Sequence, residues 1–433
     1  MAQDRRMRRR IAGLLKARLP DARLDNVADP RQPRGKRWKR LDVLLRTTIV
    51  AMIAGCRSTA QTEALTAELS RPMRKLLRIG RRLPDTTLRS TLMVVQPDEL
   101  RRCLYEQVRA AHRRKALAPL GLPFGQLAID GKTTAVDAWD DDYGQCQPHS
   151  SGPGAHGAVR TLTAALVSSR ATVCLDAAPI PPATNEGGQL QTALRDLVDA
   201  YGSLHLFDLI SADAGLCTLA NASAVRQHGL HYLLGLKQVQ PTLYAEATRL
   251  LQHRRKHIAE TVDVVGATTI TRQLFISDEM AQFGSWPHLQ TVLRVQSLTH
   301  HNTTGELLGR LNRYFVCSLP IDALTGQQWL LAVRRHWAVE NDCHNTWDKI
   351  LREDDHPWIV AGDGACQGTV NVMLLRRIAY NLLALFRSVT QRGELQRQTP
   401  WRDLIRWVYN TLIAAQARDT AGLRSRIVAT ALS

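Results

Sequence analysis

Two short apolar segments, each followed directly by an aspartate, constrain the fold of this chain more than any other feature. The first is Leu127–Ile129, followed by Asp130 and Gly131, and the second is Leu206–Ala212, followed by Asp213. Apolar runs of this length are typical of buried strands, and glycine after such a run favours a sharp turn. Each aspartate is therefore predicted to end a strand at the rim of a sheet, where the two carboxylates are placed to hold a metal ion.

A third carboxylate is expected from a long helix predicted between about Gln327 and Ile350. Five residues recur along this helix at three- and four-residue steps: Val333, Trp337, Glu340, His344 and Trp347. This spacing predicts that Glu340 faces the sheet, where an acid on an apolar helix face indicates a function. Asp130, Asp213 and Glu340 are therefore the candidate catalytic and metal-binding residues.

Each of the three carboxylates also has a structural explanation that the sequence leaves open. Asp130 and Asp213 can cap turns that follow strands. Glu340 can form an ion pair with Arg334 or Arg335 on its own helix. The matched setting of the two aspartates favours the metal-binding interpretation.

Two acids farther along the chain, Glu353 and Asp354, are rival candidates for the third ligand. They are less favoured because Pro357 indicates that the helix ends near them. Two histidines of the predicted helix, His336 and His344, are titratable as well. Histidines in such positions are more often packed or hydrogen-bonded than bound to a metal.

Three carboxylates in this arrangement suit the transfer of a phosphoryl group. Aspartate and glutamate are hard oxygen ligands, and the predicted cofactor is therefore Mg²⁺ or Mn²⁺. Two such ions about 4 Å apart activate a water or a 3′-hydroxyl on one side of a phosphodiester and stabilise the leaving oxygen on the other. The remaining work is positioning and charge neutralisation.

The positive charge of the chain is concentrated near its N-terminus. The 433 residues include 57 Lys and Arg against 39 Asp and Glu, a formal net charge of +18. Residues 1–120 hold 29 of the basic and 11 of the acidic residues, and so carry the whole excess. So basic a segment predicts double-stranded DNA as the partner, with a solvated basic surface as the alternative. Its candidate DNA contacts are Lys36, Arg37, Lys39 and Arg40.

Cysteine usage and hydropathy restrict the class of protein further. The eight cysteines contain no CxxC pair, which argues against a zinc site and against a disulfide framework. The longest apolar run, Thr47–Cys56, is about half as long as a membrane span, and the N-terminus lacks the core of a signal peptide. A cytoplasmic, nucleoid-associated protein is therefore expected.

Four regions differ in their predicted elements, and together they indicate an α/β protein with a mixed sheet. Residues 1–120 form an all-helical, basic DNA-binding domain, and residues 121–239 alternate strands with helices. Residues 240–312 form a self-contained β-rich insertion with one strong basic cluster, Arg254–Lys256. Residues 313–433 return to the sheet and end in helices.

Several segments together resemble one known protein family. They are Ile129–Lys132, Ser211–Ala214, Tyr232–Lys237, and Arg335–Asn341 with His344, Asp348, Glu353 and Asp354 after it. This pattern is similar to the DDE transposases of bacterial insertion sequences, and within them to the H-repeat-associated group. Residues 33–96 and 376–383 resemble the helical N-terminal domain and the tail of that group, so the resemblance covers most of the chain.

The resemblance implies an RNase H-like catalytic domain in which Asp130, Asp213 and Glu340 form the metal-binding triad. It also implies a homodimer bound to terminal inverted repeats and target DNA. Related transposases carry a DNA-binding lysine seven positions after the catalytic glutamate, but Trp347 occupies that position here and Lys349 is the substitute. The candidate DNA contacts in the catalytic domain are Lys132, Lys237, Arg335, Asn341 and Lys349.

Two other functions remain open from the sequence. One is a metal-dependent DNA endonuclease, because Asp130, Gly131 and Lys132 have the Asp-x-Lys form of restriction-type nuclease sites. The other is a sequence-specific DNA-binding protein that derives from a transposase and no longer cuts. Joining of cleaved ends to new DNA separates transposition from the first, and metal-dependent cleavage separates it from the second.

Overall fold

The computed structural model describes residues 2–32, 40–137, 142–146, 157–284, 286, 288–359, 362–391 and 393–423. Within these residues the chain forms a mixed α/β fold, with one ten-stranded sheet preceded and followed by helices. The expected α/β class with a helical N-terminal part is therefore confirmed.

In the described ranges 2–32 and 40–125, six helices and two 3₁₀ turns precede the sheet. Local signals explain several of their ends: Ser58 accepts a hydrogen bond from the Gln61 backbone N–H, and Pro97 begins a helix with two acids in its first turn. The 3₁₀ turns are Leu19–Ala22 and Leu24–Asn26. The helices are α1 (Ala2–Arg18), α2 (Leu41–Ile53), α3 (Thr59–Glu68), α4 (Arg71–Leu77), α5 (Asp85–Leu92) and α6 (Pro97–Arg113).

The ten strands form one sheet in the order β2-β3-β1-β5-β6-β10-β9-β8-β7, and β4 also pairs with β3. The pairs β1–β5 and β5–β6 are parallel, and all the other pairs are antiparallel. The strands are β1 (Gln126–Val136), β2 (Gly144–Cys146), β3 (Gly157–Leu166), β4 (Val173–Pro179), β5 (Leu209–Ala212), β6 (His231–Leu236), β7 (Ala259–Val265), β8 (Thr268–Ser277), β9 (Thr291–His301) and β10 (Leu307–Cys317).

The remaining helices cover the sheet and close the chain. Short 3₁₀ turns lie at Gly202–Leu204, Ala214–Leu216 and Ile321–Ala323, and π-helical segments at Val339–His344 and Phe386–Thr390. The α-helices are α7 (Glu186–Tyr201), α8 (Leu219–Gln227), α9 (Pro241–Leu251), α10 (Gly326–His336), α11 (Asn345–Lys349), α12 (Ala365–Leu385), α13 (Glu394–Arg397), α14 (Trp401–Ala414) and α15 (Ala417–Thr420).

The predicted turn after Asp130 is wrong, because β1 continues through Gly131 to Val136. Glycine at position 131 is explained by close packing and not by a turn. A Cβ atom at this position would lie 2.0 Å from Oε1 of Glu186, so the glycine leaves room for that carboxylate. What ends near Asp130 is the neighbouring strand β5, whose last residue is Ala212.

The predicted self-contained insertion is also wrong. Strand β10 pairs with β6 from Tyr314 to Cys317 and with β9 along most of its length. Strands β7 to β10 therefore extend the central sheet instead of folding on their own. The β-rich character expected of residues 240–312 is present in β7, β8 and β9.

Helix α12 lies at the centre of the largest hydrophobic cluster, which it shares with α1, α2, the N-terminal helices that follow and α14. The helical stretch Ala365–Thr390 is long and apolar enough to cross a membrane, but 94% of its most apolar part is buried inside the protein. Buried polar residues on it, including Asn371 and Asn381, make hydrogen bonds to backbone atoms of other elements. These features are those of a helix buried in a protein core.

Candidate active site

Asp130 and Asp213 lie side by side at the end of the pairing between two neighbouring parallel strands. Ile129 of β1 is paired with Ala212, the last residue of β5, so Asp130 is the next residue of β1 and Asp213 directly follows β5. Adjacent strands are about 4.8 Å apart, and matched positions point their side chains to the same face. The fold therefore brings together two carboxylates that are 83 positions apart in the sequence.

Each aspartate is met by a histidine from the chain segment that contains α10. His336 Nε2 lies 3.6 Å from Asp213 Oδ1, and His344 Nδ1 lies 3.5 Å from Asp130 Oδ2. The other ring nitrogen of His344 is 3.1 Å from Thr163 Oγ1 on β3. Both imidazoles are buried and orient the carboxylates, in agreement with the expectation that they are packed.

The two aspartates differ in their electrostatic surroundings. Burial, and then the negative charge of Glu340, raises the pKa of Asp130 to about 6. The contact with His336 lowers the pKa of Asp213. His344 is neutral near pH 7 because burial lowers its pKa to about 3. Burial and the charges of Glu340 and Asp213 thus oppose ionisation of Asp130, and the charge of His336 partly offsets them.

Glu340 lies within electrostatic reach of Asp130, but not in the setting that the sequence predicts. The predicted helix is interrupted by the π-helical segment Val339–His344. Glu340 is exposed, so its side chain does not lie on the buried helix face with Val339 and His344. The extra residue in a π-turn changes which side chains share a face, and such segments are frequent at functional sites.

The three carboxylates fit a hard divalent cation in their chemistry. Among the described residues no three or more His, Cys, Asp and Glu side chains lie together as a group that could hold a metal ion. An open arrangement is compatible with Mg²⁺, which retains several waters and takes only one or two carboxylates from the protein. Asp130 and Asp213 would hold such an ion from the sheet, and Glu340 from the helical segment.

The rival ligand Glu353 is occupied in the core. It is fully buried and accepts hydrogen bonds from Arg377 Nη2 at 2.9 Å and Arg376 Nη1 at 3.4 Å. Although burial opposes its ionisation, Arg377 and Arg376 hold its pKa at about 2. Asp354 instead lies 2.7 Å from Lys132 Nζ. The structure therefore assigns Glu353 a packing role and leaves Glu340 as the third candidate.

The candidate DNA contacts lie in different environments. Lys132 is buried and also pairs with Asp348 at 2.8 Å, and Arg335 donates a hydrogen bond to the Ser168 carbonyl oxygen at 2.6 Å. Arg40 is exposed and pairs with Asp42 at 3.0 Å. Three further candidates are exposed to solvent: Lys237, Asn341 and Lys349. Three others lie outside the described residues: Lys36, Arg37 and Lys39.

Sequence reasoning did not single out one cation close to the site, Arg313 on β10. Its guanidinium carbon lies 4.9 Å from the centre of the Trp337 ring, three residues before Glu340. The Arg254–Lys256 cluster is easier to recognise in the sequence, because its basic residues are consecutive. Arg254 in fact donates hydrogen bonds to Ile276 O at 2.9 Å and to Ser277 Oγ at 3.1 Å.

Comparison with known proteins identifies a domain in the N-terminal part. Residues 22–108 match the family model described as DDE_Tnp_1-associated. No curated protein matches the chain. A similar solved structure is that of the piggyBac transposase synaptic complex with hairpin DNA, at 10% sequence identity and a TM-score of 0.39, covering 98% of this chain and 80% of that chain.

Structural similarity at a TM-score of 0.39 carries no argument about function. The match of residues 22–108 places a domain of the DDE_Tnp_1-associated family ahead of the sheet that bears the two aspartates.

Proposed function

We propose that this chain is a transposase that cleaves DNA at the ends of an insertion sequence and joins them to new DNA by two-metal-ion phosphoryl transfer. Asp130, Asp213 and Glu340 form the catalytic triad and hold Mg²⁺ or Mn²⁺. The strands and helices of 121–239 and 313–433 form an RNase H-like core, and the basic N-terminal helices bind duplex DNA. The protein acts as a homodimer on two DNA ends.

The observation that carries this proposal is the register of β1 and β5, which sets Asp130 beside Asp213. Glu340 lies in the same region, because its negative charge is the second cause, after burial, of the raised pKa of Asp130. Turn-capping by the two aspartates does not explain why three carboxylates lie in one region, because bringing like charges together costs free energy.

The protein's own residues have distinct roles in this reaction. Bound divalent cations supply activation of the attacking hydroxyl and stabilisation of the leaving oxygen. His336 and His344 hold the two aspartate side chains in place, and Thr163 holds His344. Glu340 lies on a π-helical segment that exposes it to solvent and so to DNA.

The test is cleavage and joining of the DNA that flanks the protein's own gene, in Mn²⁺, by the full chain and by Asp130→Asn, Asp213→Asn and Glu340→Gln. Each substitution is expected to reduce both reactions by at least about a thousandfold, since each removes a charged metal ligand. DNA binding without metal is expected to stay unchanged.

Two matched substitutions serve as controls. Asp208 immediately precedes β5, at the opposite end of that strand from Asp213. Asp342 lies in the same π-helical segment as Glu340 and accepts a hydrogen bond from Thr172 Oγ1. Asp208→Asn and Asp342→Asn are expected to cleave normally. Normal cleavage by Glu340→Gln would refute its assignment.

The same assay separates the two other functions. Metal-dependent cleavage whose ends are never joined to a second DNA indicates an endonuclease. Binding of DNA without cleavage, by wild-type protein at any Mg²⁺ or Mn²⁺ concentration, indicates a DNA-binding protein without catalytic activity.

A further inference from the structure

A cavity opens beside Asp213, where strand β6 stops and strand β10 continues. Strand β6 ends at Leu236, and β10 pairs with it only from Tyr314 to Cys317, so residues 307–313 extend past it. The cavity has a volume of about 620 Å³. Its lining combines carboxylate, cationic and aromatic side chains: Asp213, Lys237, Tyr244, Arg313 and Trp337.

The two cations of this cavity differ from neighbouring arginines in how they are paired. Arg272 of β8 and Arg334 of α10 both pair with Asp263 of β7. In the part of the chain that the structure describes, neither Arg313 nor Lys237 forms an ion pair with a carboxylate. Arg313 is instead stacked on Trp337, which limits the motion of its guanidinium without using its hydrogen-bond donors.

Both cations lie close to the catalytic carboxylate. Asp213, Lys237 and Arg313 line the same cavity, and Asp213 itself lies 3.6 Å from His336 Nε2. An anion within the cavity would contact both cations next to the reacting group.

We propose that Arg313 and Lys237 bind one phosphate of the DNA strand that is cut at Asp213. This proposal rests on the proposed function and names the substrate contact of the same site. Arginine suits this contact because its planar fork donates two parallel hydrogen bonds to phosphate oxygens, and lysine adds a point charge. A contact of this kind sets the position of the strand without reading its sequence.

The test compares Arg313→Gln with Arg310→Gln, which lies three residues earlier on β10. Both arginines are exposed, but alternation along the strand directs them to opposite faces. Binding of duplex DNA from the ends of the gene is measured without metal, with the full chain carrying Asp130→Asn. Because no cleavage occurs under these conditions, the result does not depend on activity.

Arg313→Gln is expected to weaken binding about tenfold, as a lost charge-assisted hydrogen bond does. It is also expected to reduce the slope of log affinity against log salt by about 0.9, which corresponds to one phosphate. Lys237→Gln should behave similarly, whereas Arg310→Gln should bind as the parent does. Equal effects of Arg313→Gln and Arg310→Gln would overturn the proposal.

Duplexes with one neutral methylphosphonate each locate the contact. At one position the neutral linkage is expected to cost the parent about a hundredfold, from both contacts, and the Arg313→Gln variant about tenfold, from the Lys237 contact that remains. If the substitution and the neutral linkage weaken binding independently at every position of the duplex, so that their two effects multiply, the proposal is overturned even if the protein cleaves DNA. A single position at which they do not multiply would support it even if the proposed cleavage fails.

Discussion

Replacing Glu353 by Gln tests the buried ion cluster that lies behind the candidate site. Glu353 is fully buried between Arg376 and Arg377, which are themselves buried. The guanidinium carbon of Arg377 also lies 3.6 Å from the centre of the Trp347 ring, and Trp347 contacts His344 at a ring separation of 5.3 Å. Loss of the carboxylate leaves two cations without a counter-charge in the core.

The expected loss of unfolding free energy is about 3 kcal/mol. Breaking a buried pair by removing one partner costs about 3–5 kcal/mol. The pKa of Glu353 leads to the same figure, because the arginines hold it at about 2 against burial, compared with an ordinary value of 4.5. At about 1.4 kcal/mol for each pH unit, that difference amounts to about 3 kcal/mol.

Urea denaturation of the wild type and of Glu353→Gln, followed by circular dichroism between pH 2 and pH 7, measures this difference. A carboxyl whose pKa is depressed by folding stabilises the protein above its unfolded pKa, and this contribution is lost as the pH falls through the folded pKa. The gap between the two proteins should therefore be full above about pH 4.5 and close towards pH 2.

The exposed pair Glu246 and Arg249 provides the control, since the same substitution there should leave the urea midpoint unchanged. A gap for Glu353→Gln that is below about 1 kcal/mol at pH 7 would contradict the reasoning. So would a gap that does not depend on pH.

Two further predictions concern the glycines and the metal. A Cβ atom at Gly125 would lie 2.0 Å from the Leu206 carbonyl oxygen, and a Cβ atom at Gly131 would lie 2.0 Å from Glu186 Oε1. The backbone oxygen cannot move away, so Gly125→Ala should lower the free energy of unfolding in urea by about 3 kcal/mol. The Glu186 side chain can move away, so Gly131→Ala should lower it by less than about 1 kcal/mol. Equal losses would contradict this. Mn²⁺ affinity, measured by calorimetry, should rise as the pH passes through about 6, because the metal must displace the proton of Asp130. Asp130→Asn should abolish that rise, and a wild-type affinity that does not change with pH would refute it.

Local signals in the sequence were sufficient to predict many of the elements. Pro97 begins α6, Asn185 accepts a hydrogen bond from the Gly188 backbone N–H at the start of α7, and the apolar run Tyr232–Leu236 forms most of β6. Capping groups, proline and the period of apolar residues act over one or two turns, so they are readable without the fold. The two aspartates were also visible, because each follows an apolar run.

The tertiary structure decided how far each strand extends and what surrounds each acid. Strand β1 passes through Gly131 because β3 remains paired with it, although β5 has ended at Ala212. Strands β7 to β10 join the central sheet because β10 pairs with β6. Strand ends depend on hydrogen-bond partners that are distant in the sequence, so no local pattern predicts them.

The same reason separates Glu340 from Glu353. Both are acids near the predicted helix end, but Glu353 is neutralised by arginines 23 and 24 positions away, whereas Glu340 is exposed within electrostatic reach of Asp130. The sequence likewise does not single out Arg313, because its position in the cavity depends on its stacking with Trp337 and on where β6 ends. The sequence by itself determined which residues can perform the chemistry, and only tertiary packing decided which charges remain without a partner, because ion pairs form between residues that the fold brings together.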